Sequence, residues 1–365
     1  MAGRFDPLTR TAIRGGRTHL PEPPDAVRPA EAHPAAPAAA EAPAAAEGTP
    51  RPAHTARDQG RERVWGDGAG LDIGLILGPL RRGPGDPTFR TAPDGAVWLG
   101  IRTPAGPATL RVAKATGADQ VSGTAWGPGT EWVLDRLPAF LGAEDDATAF
   151  VPRHRLVHLS RRRRPGLRLT RTGLVLQVLI PTVLEQKVTA DEAYRAWRRL
   201  VRQYGERAPG PHPDLYVMPD ARTWALIPSW DWHKAGVDAK RSATIVRAAR
   251  VAPRMEEAAA MDLPAAAARL EAVPGIGPWT SAETLQRSNG AADAVTTGDL
   301  HLPGIIGYSL TGDRDADDAV MLDLLAPYAD QGTGQRHRAA RLILLGGRTP
   351  PRRAPRMYRN DIGLI

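Results

Sequence analysis

Large apolar side chains are scarce at the start of this chain, then recur with a strand-like period, and finally with a helical one. Residues 1–62 are dominated by alanine and proline, as in PAEAHPAAPAAAEAPAAAEGTPRPAH. Recurrent prolines break each helical attempt and little is available for a core, so this stretch is expected to be a disordered extension. From Val64 short β-rich runs follow at Leu71–Leu77 (LDIGLIL), Ala96–Ile101, Ala108–Val112 and Gln120–Ala125, with Gly and Pro between them. Gly129–Leu141 then has helical spacing, with Trp132, Leu137 and Leu141 among its apolar positions. Together these runs predict a small α+β domain over residues 63–154.

Beyond it the chain turns helical. Leu174–Glu185 is apolar enough for a core helix, which Pro181 should kink or end. Thr189-Ala-Asp-Glu192 is a capping box, in which the Thr and Glu side chains satisfy orphan N–H groups. It opens a helix whose Tyr194, Trp197, Leu200 and Val201 repeat at three and four. Further helices are expected near 220–227, 239–250, 264–272, 279–287, 315–327 and 335–345. Residues 155–346 thus read as a helical array without internal repeats, and 347–365 as a basic tail. The fold class is mainly α with an N-terminal α+β domain.

The totals add limits. Forty-eight Lys+Arg face 40 Asp+Glu, a net charge of +8. Only Lys114, Lys187, Lys234 and Lys240 are lysines, an arginine bias that fits GC-rich coding as well as nucleic-acid binding. Zero cysteines exclude disulfides, thiolate nucleophiles, cysteine zinc sites and iron–sulfur clusters. No apolar run approaches the ~18 residues of a membrane span, and the N-terminus lacks the apolar core of a signal peptide. A cytoplasmic protein without a membrane partner is expected.

Candidate chemistry concentrates between Leu270 and Leu300. Val273-Pro-Gly-Ile-Gly-Pro278 reads as a tight hairpin between two helices. Gly275 and Gly277 allow positive φ and close approach of a large object. The helix beginning near Trp279 offers unpaired N–H groups and the positive end of its dipole. A DNA phosphate suits that place, as does a monovalent cation held by hairpin carbonyls; equally, the glycines serve simply to make an αα-turn. Asp299 lies 22 residues beyond Gly277, in a Thr-Gly-Asp turn. It reads as the N-cap of an apolar helix (Leu300, Leu302, Ile305, Ile306) and also as a fixed carboxylate. The two roles are compatible, because bonds from helix N–H groups keep a carboxylate ionised.

This segment resembles the helix-hairpin-helix, Gly/Pro-rich, aspartate-containing superfamily of DNA base-excision glycosylases, and more narrowly its 3-methyladenine DNA glycosylase II branch. Val183-Leu-Glu-Gln-Lys-Val188 is similar to the family's Ile-Leu-Gly-Gln-Gln/Leu-Val segment, and Tyr204-Gly-Glu to the end of the next helix. Trp232–Val246 resembles the family's glycine-to-lysine helix start, and Gln335–Leu345 its closing arginine-containing helix. The match covers roughly residues 155–346, and the preceding segment occupies the place of that branch's TBP-like domain.

The resemblance implies a helix-hairpin-helix glycosylase fold and a monofunctional enzyme that flips out damaged, alkylated purines and removes them by hydrolysis. Asp299 falls on the catalytic aspartate. Val273, Gly275, Ile276, Gly277 and Thr280 fall on the clamp for the DNA backbone. Trp279 stands where lyase-competent members carry a lysine, so strand scission is not expected. Trp279, Glu283, Lys187 and His337 fall on the base pocket. No cofactor is required beyond a candidate Na⁺ or K⁺ on the carbonyls of Val273 and Ile276. The implied partner is double-stranded DNA with damaged bases, bound by a monomer in the nucleoid. Glu283, Lys187 and His337 depart from the family's aromatic, apolar or amide choices. They support the alternative of a non-catalytic DNA-binding protein that has lost base excision.

Other residues admit two readings each. Arg161–Arg164 is a phosphate contact or a solvated loop, and Arg352, Arg353, Arg356 and Arg359 a DNA-binding or a plain tail. His154 and His158 have the spacing of a helical metal pair but no third ligand nearby. Trp230 and Trp232 stack on bases or fill a helix junction. His301 supports Asp299 or faces solvent, and Glu185 and Glu283 are candidate second acids.

Overall fold

The computed structural model describes residues 59–66, 70–115 and 120–351. The expected extension therefore lies outside the described residues up to 58, as does the arginine tail from Arg352. Order begins earlier than expected, since strand β1 is Arg61–Trp65.

The run LDIGLIL is not a strand. It holds the helix α1, Ile73–Leu77, because Asp72 accepts from the N–H of Leu75 at 2.9 Å and caps it. Its buried positions, Ile73, Ile76 and Leu77, follow the helical spacing of three and four. Four further strands complete an antiparallel sheet: β2 (Phe89–Thr91), β3 (Val97–Thr103), β4 (Gly106–Lys114) and β5 (Val121–Trp126). The spatial order is β1-β5-β4-β3-β2, with Val97 opposite Val112 and Leu110 opposite Ala125. Helices α2 (Thr130–Asp135) and α3 (Leu137–Phe140) divide the expected helix at Arg136, ahead of Pro138. Val133, Leu137 and Phe140 join Ile76, Leu77, Leu110 and Val112 in one core.

Apart from a two-stranded antiparallel pair, β6 (Glu206–Arg207) and β7 (Tyr216–Val217), the rest is helical: α4 (Arg155–Arg163), α5 (Val175–Leu184), α6 (Ala190–Tyr204), α7 (Ala221–Leu226), α8 (Ser229–Lys234), α9 (Ala239–Arg250), α10 (Ala252–Glu256), α11 (Leu263–Glu271), α12 (Pro278–Ser288), α13 (Leu302–Leu310), α14 (Asp318–Leu325) and α15 (Arg336–Gly346). The capping box at Thr189 is present with both of its bonds. Helix α5 continues past Pro181 to Leu184. Its first N–H groups, on Val175 and Leu176, are taken by the Glu256 carboxylate at 2.8 and 2.9 Å.

Two cores hold this array. Around α5, the indoles of Trp197, Trp224 and Trp232 form a stack with centroids 6.3 and 5.8 Å apart. A second core joins Val157 of α4 to Ile306, Met321, Tyr328 and Ile343. The α4–α15 pairing makes the chain before α5 close against its last described helix. Among the described residues no helix is long and apolar enough to cross a membrane.

Candidate active site beside the hairpin

Helices α11 and α12 are joined by Val273–Gly277, and the two glycines of that turn have different causes. Gly275 has φ +100°, and a Cβ there would lie 2.0 Å from Thr244 Oγ1 of α9. Its freedom is used inside the protein, by a helix packing against the turn. Gly277 has an ordinary φ of −118°, and a Cβ there would meet nothing within 4 Å. Nothing in the fold requires glycine at 277, which leaves the first turn of α12 open to an outside group.

The hairpin is pinned from two sides. Gln186, in the turn after α5, donates to Gly275 O at 3.0 Å and to Thr280 Oγ1 at 2.8 Å. Arg247 of α9 donates to Pro274 O at 3.2 Å. The Thr280 side chain is therefore turned inward and buried, so its backbone N–H is what it offers a phosphate. Val273 and Ile276 are buried, and Val273 O already accepts from the N–H of Ile276. The carbonyl oxygens of these two residues remain hard donors suited to a monovalent cation. Sequence reasoning missed Gln186 and Arg247. The first sits in the quoted VLEQKV segment, while the second carries no local signal.

Asp299 lies two residues before His301, the N-cap of α13, and holds the start of that helix from outside it. Its Oδ1 accepts from the N–H groups of His301 and Leu302, both at 2.8 Å, at the start of α13. Its Oδ2 accepts from the indole N–H of Trp279 at 3.0 Å. Partial burial raises the carboxyl pKa, but these three hydrogen bonds outweigh it and hold the group below the ordinary aspartate range. His301 is exposed and contributes its N–H.

The segment leading to Asp299 is fastened along α12 at steps of three and four. Gln286 donates to Ala294 O at 2.9 Å and to Thr296 Oγ1 at 2.8 Å. Thr296 donates to Glu283 Oε1 at 2.6 Å, and Trp279 closes the series. Asp318 accepts from the N–H of Gly298 at 2.7 Å from the other side.

Glu283 belongs to this series. Its second oxygen pairs with Arg287 at 2.8 Å, so each carboxylate oxygen has a partner in the scaffold. Lys187 is exposed, with φ 54°, in the left-handed turn that ends α5. It therefore stands on the surface beside Gln186, not in an enclosed pocket. His337 is drawn inward, and burial together with Arg341, Arg287 and Arg338 holds its imidazole neutral, well below the usual pKa.

Around His337 lies a cluster of arginines that the sequence did not announce. Arg287 donates from Nε to Pro79 O at 3.0 Å, and Arg341 donates to Leu75 O, so the α1 segment closes over it. Arg82 pairs with Glu185 at 3.1 Å. Burial raises the Tyr194 pKa, and the nearby Glu185 charge adds to the effect. Arg341 is lowered to about 10 by burial and by Arg287 and Arg338, and remains a cation at neutral pH.

Solved structures share this architecture. A 3-methyladenine DNA glycosylase from Archaeoglobus fulgidus superposes with a TM-score of 0.63 at 15% identity, over 77% of this chain and 97% of that one. The 8-oxoguanine glycosylase/lyase of Clostridium acetobutylicum, in complex with double-stranded DNA, gives 0.60 at 11% identity over 79% and 97%. The protein MBOgg1, bound to a low-affinity DNA ligand, gives 0.61 at 14% over 79% and 98%. The chain has the helix-hairpin-helix DNA glycosylase fold. No family model and no curated protein matches the sequence.

Within this glycosylase fold the remaining candidates resolve into structural parts. Arg161 donates to Phe150 O and Arg164 to Leu345 O, both at 2.5 Å, leaving Arg162 and Arg163 as the exposed half of the arginine run. His154 precedes α4 and its Nδ1 pairs with Tyr328 Oη at 2.9 Å. Among the described residues no His, Asp and Glu group is arranged to hold a metal. Trp232 fills the core, whereas Trp230 is 62% exposed.

Proposed function

We propose that this protein is a monofunctional DNA N-glycosylase that grips duplex DNA at the hairpin, flips out a damaged base and hydrolyses its bond to the sugar. The observation that carries this reading is an ionised Asp299 beside an indole and next to an open helix start. The first-turn N–H groups of α12 receive a phosphate of the damaged strand. Arg247, exposed beside the turn, adds positive charge there. A monovalent cation, when bound to the carbonyls of Val273 and Ile276, would strengthen the same attraction.

With the nucleotide extruded, positive charge grows on the sugar as the glycosidic bond breaks. Asp299 stabilises that charge and orients or deprotonates the attacking water. Trp279 offers no amine to attack the sugar, so the product is an abasic site in an intact strand.

The resemblance implies alkylated purines as substrates. The cluster around His337 favours a second reading of the base. Arg338 is paired with Asp145 and Arg287 with Glu283, while Arg341, held by the Leu75 carbonyl, supplies a positive charge that disfavours cationic alkylated purines such as 7-methylguanine. A neutral base bearing an exocyclic oxygen is attracted by the same guanidiniums.

An excision assay over alkylated, deaminated and oxidised bases tests the proposal, with Asp299→Asn as the control. Wild type releases a base, while Asp299→Asn binds duplex normally and releases none. Equal release by both proteins overturns the role of Asp299. Binding without release of any base by wild type supports a DNA-binding protein that has lost excision.

A further inference from the structure

A second concentration of positive charge lies along α6. Arg195, Arg198, Arg199 and Arg202 are spaced at three and four and share one helix face. With Gln203, Lys234 and Ala235 they line a groove of about 770 Å³. Arg198 donates to Pro84 O at 3.1 Å and Arg199 donates to Lys234 O. Carbonyl oxygens carry no net charge, so these contacts place the guanidiniums without neutralising them. The carboxylate at this end, Asp231, lies 3.9 Å from Lys234 Nζ and also receives bonds from Tyr204, Gln203 and Trp230.

Trp230 gives the groove its second property. It stands one turn before Lys234 on α8, with its indole N–H on Asp231 and its side chain 62% exposed. Trp232 of the same short helix is buried in the core, so packing accounts for one indole and not for the other. An open aromatic face beside guanidiniums held by carbonyl oxygens, those of Arg198 and Arg199, is the pattern that holds unpaired bases and their phosphates together.

We propose that this groove binds single-stranded nucleic acid, with phosphates on Arg198, Arg199, Arg202 and Lys234 and an unpaired base stacked on Trp230. Duplex DNA would satisfy the cations, but its bases are already stacked within the helix. An acidic peptide would likewise leave the indole face without a partner. Arg199 lies nine residues beyond Ala190, the first residue of α6, roughly 14 Å along the helix at 1.5 Å per residue. The groove is thus separate from the hairpin and does not draw on Asp299.

Anisotropy of a dye-labelled, undamaged oligothymidine titrated with the full chain tests this. Trp230→Ala is expected to weaken binding by about five- to a hundredfold, the loss of one stacked base. Trp230→Phe keeps an aromatic face but, like alanine, lacks the N–H that reaches Asp231; it should retain most of the affinity. Equal loss in the two variants would overturn the stacking role. Combined Arg198→Gln, Arg199→Gln and Arg202→Gln should lower the slope of log affinity against log salt by about 2, at ~0.7 per phosphate. An unchanged slope would overturn the phosphate assignment. Gly277→Leu should leave oligothymidine binding intact, and its loss would move the strand to the hairpin. Polyglutamate should fail to displace the oligonucleotide, and equal displacement would make this a peptide site.

Discussion

The indole N–H of Trp279 donates to Asp299 Oδ2 at 3.0 Å, while the opposite oxygen accepts from the N–H groups of His301 and Leu302 where α13 begins. One oxygen is tied to the helix that follows the hairpin and the other to the helix that follows the aspartate. The carboxylate therefore belongs to both elements, and its position is set by neither alone. Tryptophan in the lysine position is not merely the absence of an amine, because its N–H helps to keep Asp299 charged.

Replacing Trp279 by Phe should make that contribution measurable. The folded-state pKa of Asp299 lies below the ordinary value of about 3.9, so its ionised form contributes stability above that pH. The contribution is lost as pH falls through the lowered folded value. Trp279→Phe raises the folded value and narrows this window. The acid limb of the base-release profile should move to higher pH, and the rate at neutral pH should fall by about tenfold, the order of one hydrogen bond to a charged group. A pH–rate profile superimposable on wild type would show that the indole acts only as a wall.

The two hairpin glycines should separate folding from grip. Gly275→Ala forces a side chain against Thr244 in a left-handed backbone and is expected to cost about 2–3 kcal/mol in urea unfolding. Gly277→Leu meets open space and should change stability by less than about 0.5 kcal/mol. Its affinity for duplex DNA should nonetheless fall at least tenfold, equally on all sequences, because the hairpin reads backbone and not bases.

Features set within a few residues were legible in the sequence, and those set by distant partners less so. The capping box at Thr189, the hairpin and the α9 and α12 segments follow from caps, glycines and periodicity that act within a few residues. The Leu71–Leu77 run was misread because L-D-I-G-L-I-L alternates like a strand while also satisfying a helix, and the Asp72 cap decides between them. Strands β1 and β2 are short edges of five and three residues, and the partner of β1, β5, is far away in sequence. Glu283 looked like a pocket residue because its partner Thr296 is chosen by tertiary structure, although Arg287 is a local i,i+4 partner on α12. The arginine cluster was invisible because Arg287 and Arg341 come together only when the α1 segment closes over them.

Asp86 should be among the costliest positions away from the site. It is fully buried; its Oδ1 accepts from Thr88 N, Thr88 Oγ1 and Trp197 Nε1, each at 2.9 Å, and its Oδ2 from Arg82 N at 2.6 Å. These bonds join the loop before β2 to α6. Asp86→Ala strands four buried donors and is expected to lower stability by about 3–5 kcal/mol. Asp86→Asn keeps an acceptor for three of them but turns an NH₂ toward Arg82, so its loss should be smaller. Urea midpoints of the two variants in that order would support the account.

Arg287 is the position that separates the two readings of the base. Its Nε donates to Pro79 O and its Nη1 to Glu283, so Nη2 is the edge with which it would donate to a base. An exocyclic oxygen on a neutral base can accept from that edge, whereas a cationic purine meets repulsion from it and from Arg341. Arg287→Met keeps much of the aliphatic length and removes the charge. Relative to wild type, it should release oxidised or deaminated bases at least tenfold more slowly, while release of 7-methylguanine stays level or rises. The Glu283 carboxylate would lose one partner and keep Thr296, so an unfolding scan must accompany the rates. Uniform loss over all bases with unchanged stability would show that Arg287 positions the site without choosing the base. Loss confined to alkylated bases would return the pocket to the alkyl-purine reading.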